Sequence, residues 1–156
     1  MKNLRYLEAV KNLTNAINIA IEVFQKYPPK ELDDVQLNHI INVYSNWGKE
    51  VISPEPKYDN LASLKYSIEA VFTYFQEGSG VTVEEFWVRI KEAQLPYQRV
   101  NKLTKILKRK KIKNDIEYDF IIDVLVPYQQ ENLISDNDVI LLNQMIKEFE
   151  NRKVKL

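Results

Sequence analysis

The chain has 156 residues, with 22 basic and 22 acidic side chains and no cysteine. Balanced charge gives no global field that would attract nucleic acid or anionic lipid. The lack of cysteine excludes disulfides, thiolate metal sites and a cysteine nucleophile, and suits a reducing compartment. No apolar run approaches the ~18 residues of a membrane span, and the N-terminus does not resemble a signal peptide. We therefore expect a cytoplasmic protein with no membrane segment.

The first half of the chain opens with two amphipathic patterns. Between residues 4 and 27 apolar residues recur every three or four positions, which predicts a first helix that ends at Pro28. Residues 37–51 carry a second stripe of the same period. Asp33 precedes this stripe, where a carboxylate favours the positive end of a helix dipole.

Two further helices are predicted between a linker and a glycine turn. Residues 53–60 are rich in proline and polar residues, and Asn60 at their end is a typical N-cap. The third helix follows and ends at Gly78. Thr82 and Glu85 have the spacing of a capping box, which predicts the start of the fourth helix.

The second half of the chain predicts three more helices. A basic helix is expected over 97–109. It should end at 109, because continuing it would rotate lysines onto its apolar side. Asn114 then caps an acidic helix that ends at Pro127. Ser135 and Asp138 mark the start of a last helix.

The whole pattern predicts an all-α fold. Only three glycines and few alternating runs of β-branched residues leave little material for hairpins. We predict a single compact helical domain over 1–156 with about seven helices, in which a long N-terminal helix packs on the others.

Charge is unevenly distributed along the chain. Residues 99–113 carry eight basic and no acidic side chains, whereas 114–138 carry seven acidic and no basic ones. A basic helix thus turns into an acidic helix, and we expect their complementary faces to lie near each other. Exposed ion pairs contribute only ~0–1 kcal/mol each, so they would select an orientation rather than hold the fold. The candidate partner-binding residues are Asp115, Asp119, Asp123, Asp136, Asp138, Lys105, Lys108, Arg109 and Lys111.

Nucleic-acid binding by the basic segment 99–113 is one alternative. Such a site needs its cations presented together, with an exposed aromatic ring for stacking on bases. Tyr97 is the one aromatic nearby, and no helix-turn-helix or RNA-recognition motif accompanies it. The acidic successor would also repel a phosphate backbone. A solvated helix face explains the same charges without a ligand.

No residue pattern predicts catalysis, a cofactor or a metal. His39 is the sole histidine and lacks the spacing of a ligand pair. Asp119 and Asp123 lie four residues apart, but two carboxylates make a poor cation site. The stretch 78–82 (GSGVT) has no P-loop lysine after it. We predict a protein without catalytic, cofactor or metal residues, and keep a helical enzyme with an unrecognised site as a lower alternative.

The stretch 102–123 resembles a pattern in small bacterial helical proteins that act as immunity-like partners of toxins. The matching residues are Arg109, Lys111, Ile112, Glu117, Tyr118 and Asp123. Lys110 stands where that pattern has glycine, which counts against a left-handed helix C-cap at this position. The resemblance implies a non-catalytic protein that binds and neutralises a toxin. An acidic patch would suit a basic nuclease, and a basic patch an acidic partner.

Overall fold

The computed structural model describes residues 3–154, and over these residues the protein is all-α with no strand. The predicted fold class, with about seven helices, is confirmed. A short 3₁₀ helix, η1, spans Pro56–Tyr58. The α-helices are α1 Leu4–Lys26, α2 Asp34–Ile52, α3 Leu61–Glu77, α4 Val81–Glu92, α5 Thr104–Arg109, α6 Asp115–Gln130 and α7 Asp136–Val154. Among them no helix has the length and apolar character that a membrane crossing needs.

Contacts between Cα atoms group the chain into two compact units. Unit one contains residues 3–75 and 80–98, and unit two contains 76–79 and 99–154. Each unit has its own cluster of buried apolar side chains. The last two residues of α3, Gln76 and Glu77, therefore belong to unit two, although the rest of that helix belongs to unit one.

Unit one is organised around α1, which contacts both α2 and α4. Ala16 and Ala20 on α1 are fully buried, and such small side chains let neighbouring helices approach closely. Aromatic rings fill much of the remaining core. Their polar atoms are satisfied: the Tyr44 hydroxyl donates to the Val71 carbonyl at 2.7 Å, and Trp87 Nε1 donates to the Phe75 carbonyl at 2.8 Å.

Unit two is built from α5, α6 and α7. Its buried residues lie on the inner faces of these helices and in the turns between them. The prediction of a helix over 97–109 is wrong in its first half, because α5 begins only at Thr104. The Asn101 side chain accepts from Leu103 N at 2.8 Å and donates to the Leu133 carbonyl at 3.3 Å, which holds a turn where the helix was expected.

Three of the four predicted N-caps form. Asn60, Asn114 and the reciprocal Ser135–Asp138 pair cap their helices as predicted. Thr82 does not form the predicted capping box, since its buried hydroxyl donates to the Tyr27 carbonyl. Gly80 instead precedes α4 with φ 100° and ψ 179°, a conformation that L side chains rarely adopt.

The helix α6 also continues through Pro127 to Gln130, where an end was predicted. Proline lacks the backbone N–H, so the carbonyl four residues earlier loses one intrahelical bond. Pro127 and the adjacent Tyr128 are both buried, and the Pro127 carbonyl still accepts from Glu131 N at 3.0 Å. Burial of this turn offsets the missing hydrogen bond.

Lys110 ends α5 in a left-handed conformation, although a lysine in place of glycine was expected to disfavour this conformation. Its φ is 61° and ψ is 27°, and its N–H donates to the Ile106 carbonyl at 3.0 Å. The next apolar residue, Ile112, is fully buried in unit two. Its burial fixes the direction of the chain after α5 and holds the strained residue in place.

Replacing Lys110 by glycine is expected to stabilise the protein by about 0.5–1 kcal/mol. A left-handed L residue costs about 1–2 kcal/mol, and the greater freedom of glycine in the unfolded chain offsets part of the gain. Urea denaturation followed by circular dichroism measures the change. Lys110→Ala is the control: it keeps the strain and should stay near the parent protein. A glycine variant less stable than the parent would contradict this expectation.

Candidate partner-binding surface

The junction between α5 and α6 is closed by one charged pair. Arg109 donates in bidentate fashion to Glu117, with Nη1 2.7 Å from Oε1 and Nη2 3.2 Å from Oε2. Lys113 N also donates to the Glu117 carboxylate at 2.8 Å. Arg109 and Glu117 belong to the basic and acidic blocks respectively, so these blocks pair across the turn as expected. A second ion pair between the two blocks joins Arg99 and Glu131.

Glu117 is held ionised by these contacts. The Arg109 guanidinium and the Lys113 N–H lower the pKa of the Glu117 carboxyl, and the same pair raises the pKa of Arg109. The Glu117 side chain is only 20% exposed, so solvent screens this pair less than it screens an ordinary surface ion pair. The carboxylate thereby ties the end of α5 to the first turn of α6.

The contribution of Glu117 to stability is expected to disappear in acid. Because its pKa in the folded protein is lowered below 4.5, its contribution is fully present above pH ~4.5 and is lost as pH falls through the lower value. The difference in unfolding free energy between the parent protein and Glu117→Gln should therefore shrink below pH ~4.5. Urea denaturation at several pH values measures it. An unchanged difference as the pH falls from neutral into acid would contradict the prediction.

Contacts between α6 and α7 show that the two helices run antiparallel. Near the start of α6, Asp115 pairs with Lys153, which lies near the end of α7. One turn later the Tyr118 hydroxyl donates to Glu150 Oε1 at 2.6 Å, which raises the pKa of Tyr118. Asp115 therefore has its ion-pair partner within unit two, and the side chains of both partners remain exposed.

The outer side of α6 combines acidic and aliphatic side chains. At 100° per residue six exposed residues fall within an arc of about 120°. Ile116, Ile122 and Val126 are 80%, 48% and 56% exposed on it. Neither Asp119 nor Asp123 forms an ion pair with any residue in 3–154. We call this surface the α6 acidic face: Asp115, Ile116, Asp119, Ile122, Asp123 and Val126.

The aliphatic members of the α6 acidic face were missed by the sequence prediction. Ile116 continues the apolar period of α6, but the buried residues of α6 are Ile121, Val124, Pro127 and Tyr128. The sequence feature that could have indicated their exposure is the width of the apolar arc of α6. Apolar residues of α6 cover more of the helix than one buried face can hold, so some of them must meet solvent or another protein.

The other predicted acidic residues belong to the start of α7. Asp138 accepts from Ser135 N at 3.0 Å and thus completes a cap, while Asp136 is exposed in the first turn. Since α6 and α7 are antiparallel, this end of the hairpin lies opposite Asp115. The five predicted aspartates therefore form two groups rather than one patch.

One of the four predicted basic residues is paired within unit two, and three are exposed. Lys105 and Lys108 are exposed on the short helix α5, and Lys111 is exposed in the turn that follows. Arg109 is bound to Glu117. All four residues lie in one short segment of unit two, but the arginine is already paired within that unit.

The basic segment 99–113 is not a continuous cationic surface. Arg99 has a side chain only 4% exposed and donates to the Gly78 carbonyl at 2.6 Å and to Glu131 Oε2 at 3.2 Å. Tyr97, the one aromatic near the segment, packs in unit one with its ring centroid 4.5 Å from that of Phe72, and burial raises its pKa to about 12. Neither residue is presented to a nucleic acid in the way that stacking and phosphate contacts need.

Residues with possible metal or acid-base chemistry belong to different units. His39 is exposed on α2 of unit one, whereas Asp119 and Asp123 belong to α6 of unit two. Over residues 3–154, no group of three or more metal-ligating side chains is present. The α6 acidic face alternates charged and apolar side chains.

The sequence and the fold were compared with known proteins. No protein-family model matches the chain. No curated protein and no solved structure matches it either.

Proposed function

We propose that this chain is a non-catalytic, cytoplasmic protein-binding protein that acts as an immunity protein, binding and neutralising a bacterial toxin. The α6 acidic face carries this proposal, because it joins aspartates and exposed aliphatic side chains on one ordered helix. The resemblance of residues 102–123 to immunity-like proteins points to the same class of function. Neutralisation by blocking requires a complementary surface and no catalytic group.

The chemistry of the α6 acidic face favours a basic protein as partner. Asp119 and Asp123 would meet lysine or arginine side chains, and charge complementarity of this kind speeds association and selects the partner. Ile116, Ile122 and Val126 would be removed from water in the complex. Burial of their apolar surface supplies a contribution that does not depend on salt. A polyanion such as nucleic acid would be repelled by the same face.

The partner test is coexpression with the product of a neighbouring gene, followed by size-exclusion chromatography. We expect the two proteins to elute together as a stable complex. Addition of the purified chain should also suppress the toxicity or the enzymatic activity of the partner in proportion to complex formation. Separate elution of the two proteins at micromolar concentrations would contradict the proposed function.

A pair of charge-reversal variants tests the surface itself. Asp119→Lys with Asp123→Lys should weaken the complex by about tenfold or more, because like charges across an interface are strongly unfavourable. The matched control is Glu69→Lys with Glu92→Lys, which reverses two exposed carboxylates of unit one. Both double variants should unfold near the parent temperature. Equal loss of binding in both would indicate a general charge effect and count against the α6 acidic face.

A further inference from the structure

A second surface in unit one has the form of a ligand groove. The groove has a volume of about 470 Å³ and lies where the start of α1, the end of α2, η1 and the first half of α3 meet. This volume is in the range of small-molecule sites. Its floor is apolar: Val51 and Leu64 are 4% and 5% exposed, and Tyr6 beside them is also buried.

The rim of the groove is aromatic and acidic. Tyr58 and Tyr66 line it with rings that are 52% and 76% exposed, and they are exposed although aromatic rings usually bury most of their surface. Glu50 and Glu55 are the charged residues of the lining, and no basic residue occurs among the described residues that form it. Two carboxylates and two ring faces around an apolar floor favour a cation that carries methylene groups.

An ammonium group already lies at the edge of this groove. Lys57 Nζ is 4.9 Å from the centroid of the Tyr58 ring and 3.8 Å from Glu55 Oε2. Both partners of this ion pair are about 70% exposed, so the contact is screened and easily exchanged. The geometry shows that this ring and this carboxylate together accommodate an alkylammonium.

We propose that the groove binds an alkylammonium group, with the cation between Glu55 and the rings of Tyr58 and Tyr66 and its methylene chain against Val51 and Leu64. Lys57 competes with this ligand for the Tyr58 ring and the Glu55 carboxylate. The same chemistry is offered by a free polyamine and by a lysine side chain of a polypeptide. This site lies in unit one and is independent of the α6 acidic face, so its test does not depend on the proposed toxin partner.

Titration of the full chain with n-butylammonium, monitored by NMR chemical shifts and by calorimetry, tests the proposal. We expect saturable binding of n-butylammonium that shifts signals of Tyr58 and Tyr66. The neutral analogue n-butanol should bind at least about tenfold more weakly. Spermidine and Nα-acetyl-lysine amide distinguish the sources. Tighter binding of spermidine assigns the site to a polyamine, and tighter binding of the lysine derivative assigns it to a protein side chain. Equal affinity for n-butanol and n-butylammonium would overturn the proposal.

Variants separate the ring, the carboxylate and the competitor. Tyr66→Leu should weaken butylammonium binding about fivefold, whereas Tyr66→Phe keeps the ring and should bind as the parent does. Glu55→Gln should weaken binding, with Glu69→Gln as the matched control outside the groove. Lys57→Gln should strengthen it by about two- to threefold, since it removes the internal ammonium. All these positions are exposed, so folding should be retained. Unchanged affinity in both Tyr66→Leu and Glu55→Gln would overturn the site.

Discussion

Replacing Phe75 by alanine is expected to lower the free energy of unfolding by about 3–5 kcal/mol, the range measured for large buried aromatic residues. Phe75 is fully buried in unit one. Its ring is stacked on Phe86 with centroids 3.7 Å apart, and the rings of Phe24 and Tyr44 lie 5.4 and 6.1 Å away. Alanine would remove the packing of Phe75 against these three rings, at the point where α1, α2, α3 and α4 meet, and would leave a cavity.

The measurement can be confined to unit one. Both tryptophans of the chain, Trp47 and Trp87, belong to that unit, so tryptophan fluorescence during urea denaturation reports on it directly. Phe75→Leu fills most of the space and should lose less than the alanine variant. Tyr66→Ala, at an exposed ring on the same helix, should change stability by no more than ~0.5 kcal/mol. A loss below ~1 kcal/mol for Phe75→Ala would contradict the packing described.

Much of the fold could be predicted from the sequence because its signals are local. The period of apolar residues predicted all seven helices. Side chains that cap a helix act over three residues, so Asn60, Asn114 and Ser135 could be recognised without any knowledge of the tertiary structure. Helix existence was thus correct even where the exact boundaries were not.

The errors occur where a distant contact decides the local structure. Thr82 has the spacing of a capping box, but its hydroxyl donates to Tyr27, 55 residues earlier in the chain. Asn101 interrupts an amphipathic pattern by bonding to Leu133. Lys110 adopts a left-handed conformation that its residue type disfavours, because buried Ile112 over-determines the turn. The partners Tyr27 and Leu133, and the burial of Ile112 in unit two, cannot be identified from a short sequence window.

The candidate site was predicted in its charges and missed in its apolar part. Asp119 and Asp123 follow from helical spacing alone. Ile116 continues the apolar period of α6, and this period looks the same whether the residue meets its own core or another chain. The exposure of Ile116 and its neighbours turns an acidic stripe into a mixed surface, which is the stronger indication of a protein partner.

The basic segment 99–113 shows how one run of like charge can serve separate purposes. Arg99 is buried, Arg109 bridges two helices through Glu117, and Lys110 ends a helix in a left-handed conformation. Lys105 and Lys108 remain exposed on α5. A linear count of charges therefore overstates the cationic surface available to a polyanion, since the two arginines have carboxylate partners within unit two.

The buried member of that segment leads to the second large expected effect. Replacing Arg99 by methionine should lower the free energy of unfolding by about 2–3 kcal/mol. Methionine keeps the apolar stem but loses the donors to the Gly78 carbonyl at 2.6 Å and to Glu131 at 3.2 Å, and the contact with the Tyr128 ring at 5.1 Å. The Glu131 side chain is 30% exposed and can be solvated when its partner is lost, which keeps the expected loss below that of a fully buried pair.

Variants of both partners show which Arg99 contact matters most. Glu131→Gln retains an acceptor for the guanidinium and should lose less than 1 kcal/mol, on the order of an exposed pair. Arg99→Lys keeps the charge, but one ammonium cannot reproduce the planar fork that serves two acceptors, so an intermediate loss is expected. Far-UV circular dichroism during urea denaturation measures all three. The order of effects expected from the two distances would be contradicted by equal losses of stability in Glu131→Gln and Arg99→Met. Such a result would mean that the ion pair, rather than the hydrogen bond to Gly78, holds residues 76–79 in unit two.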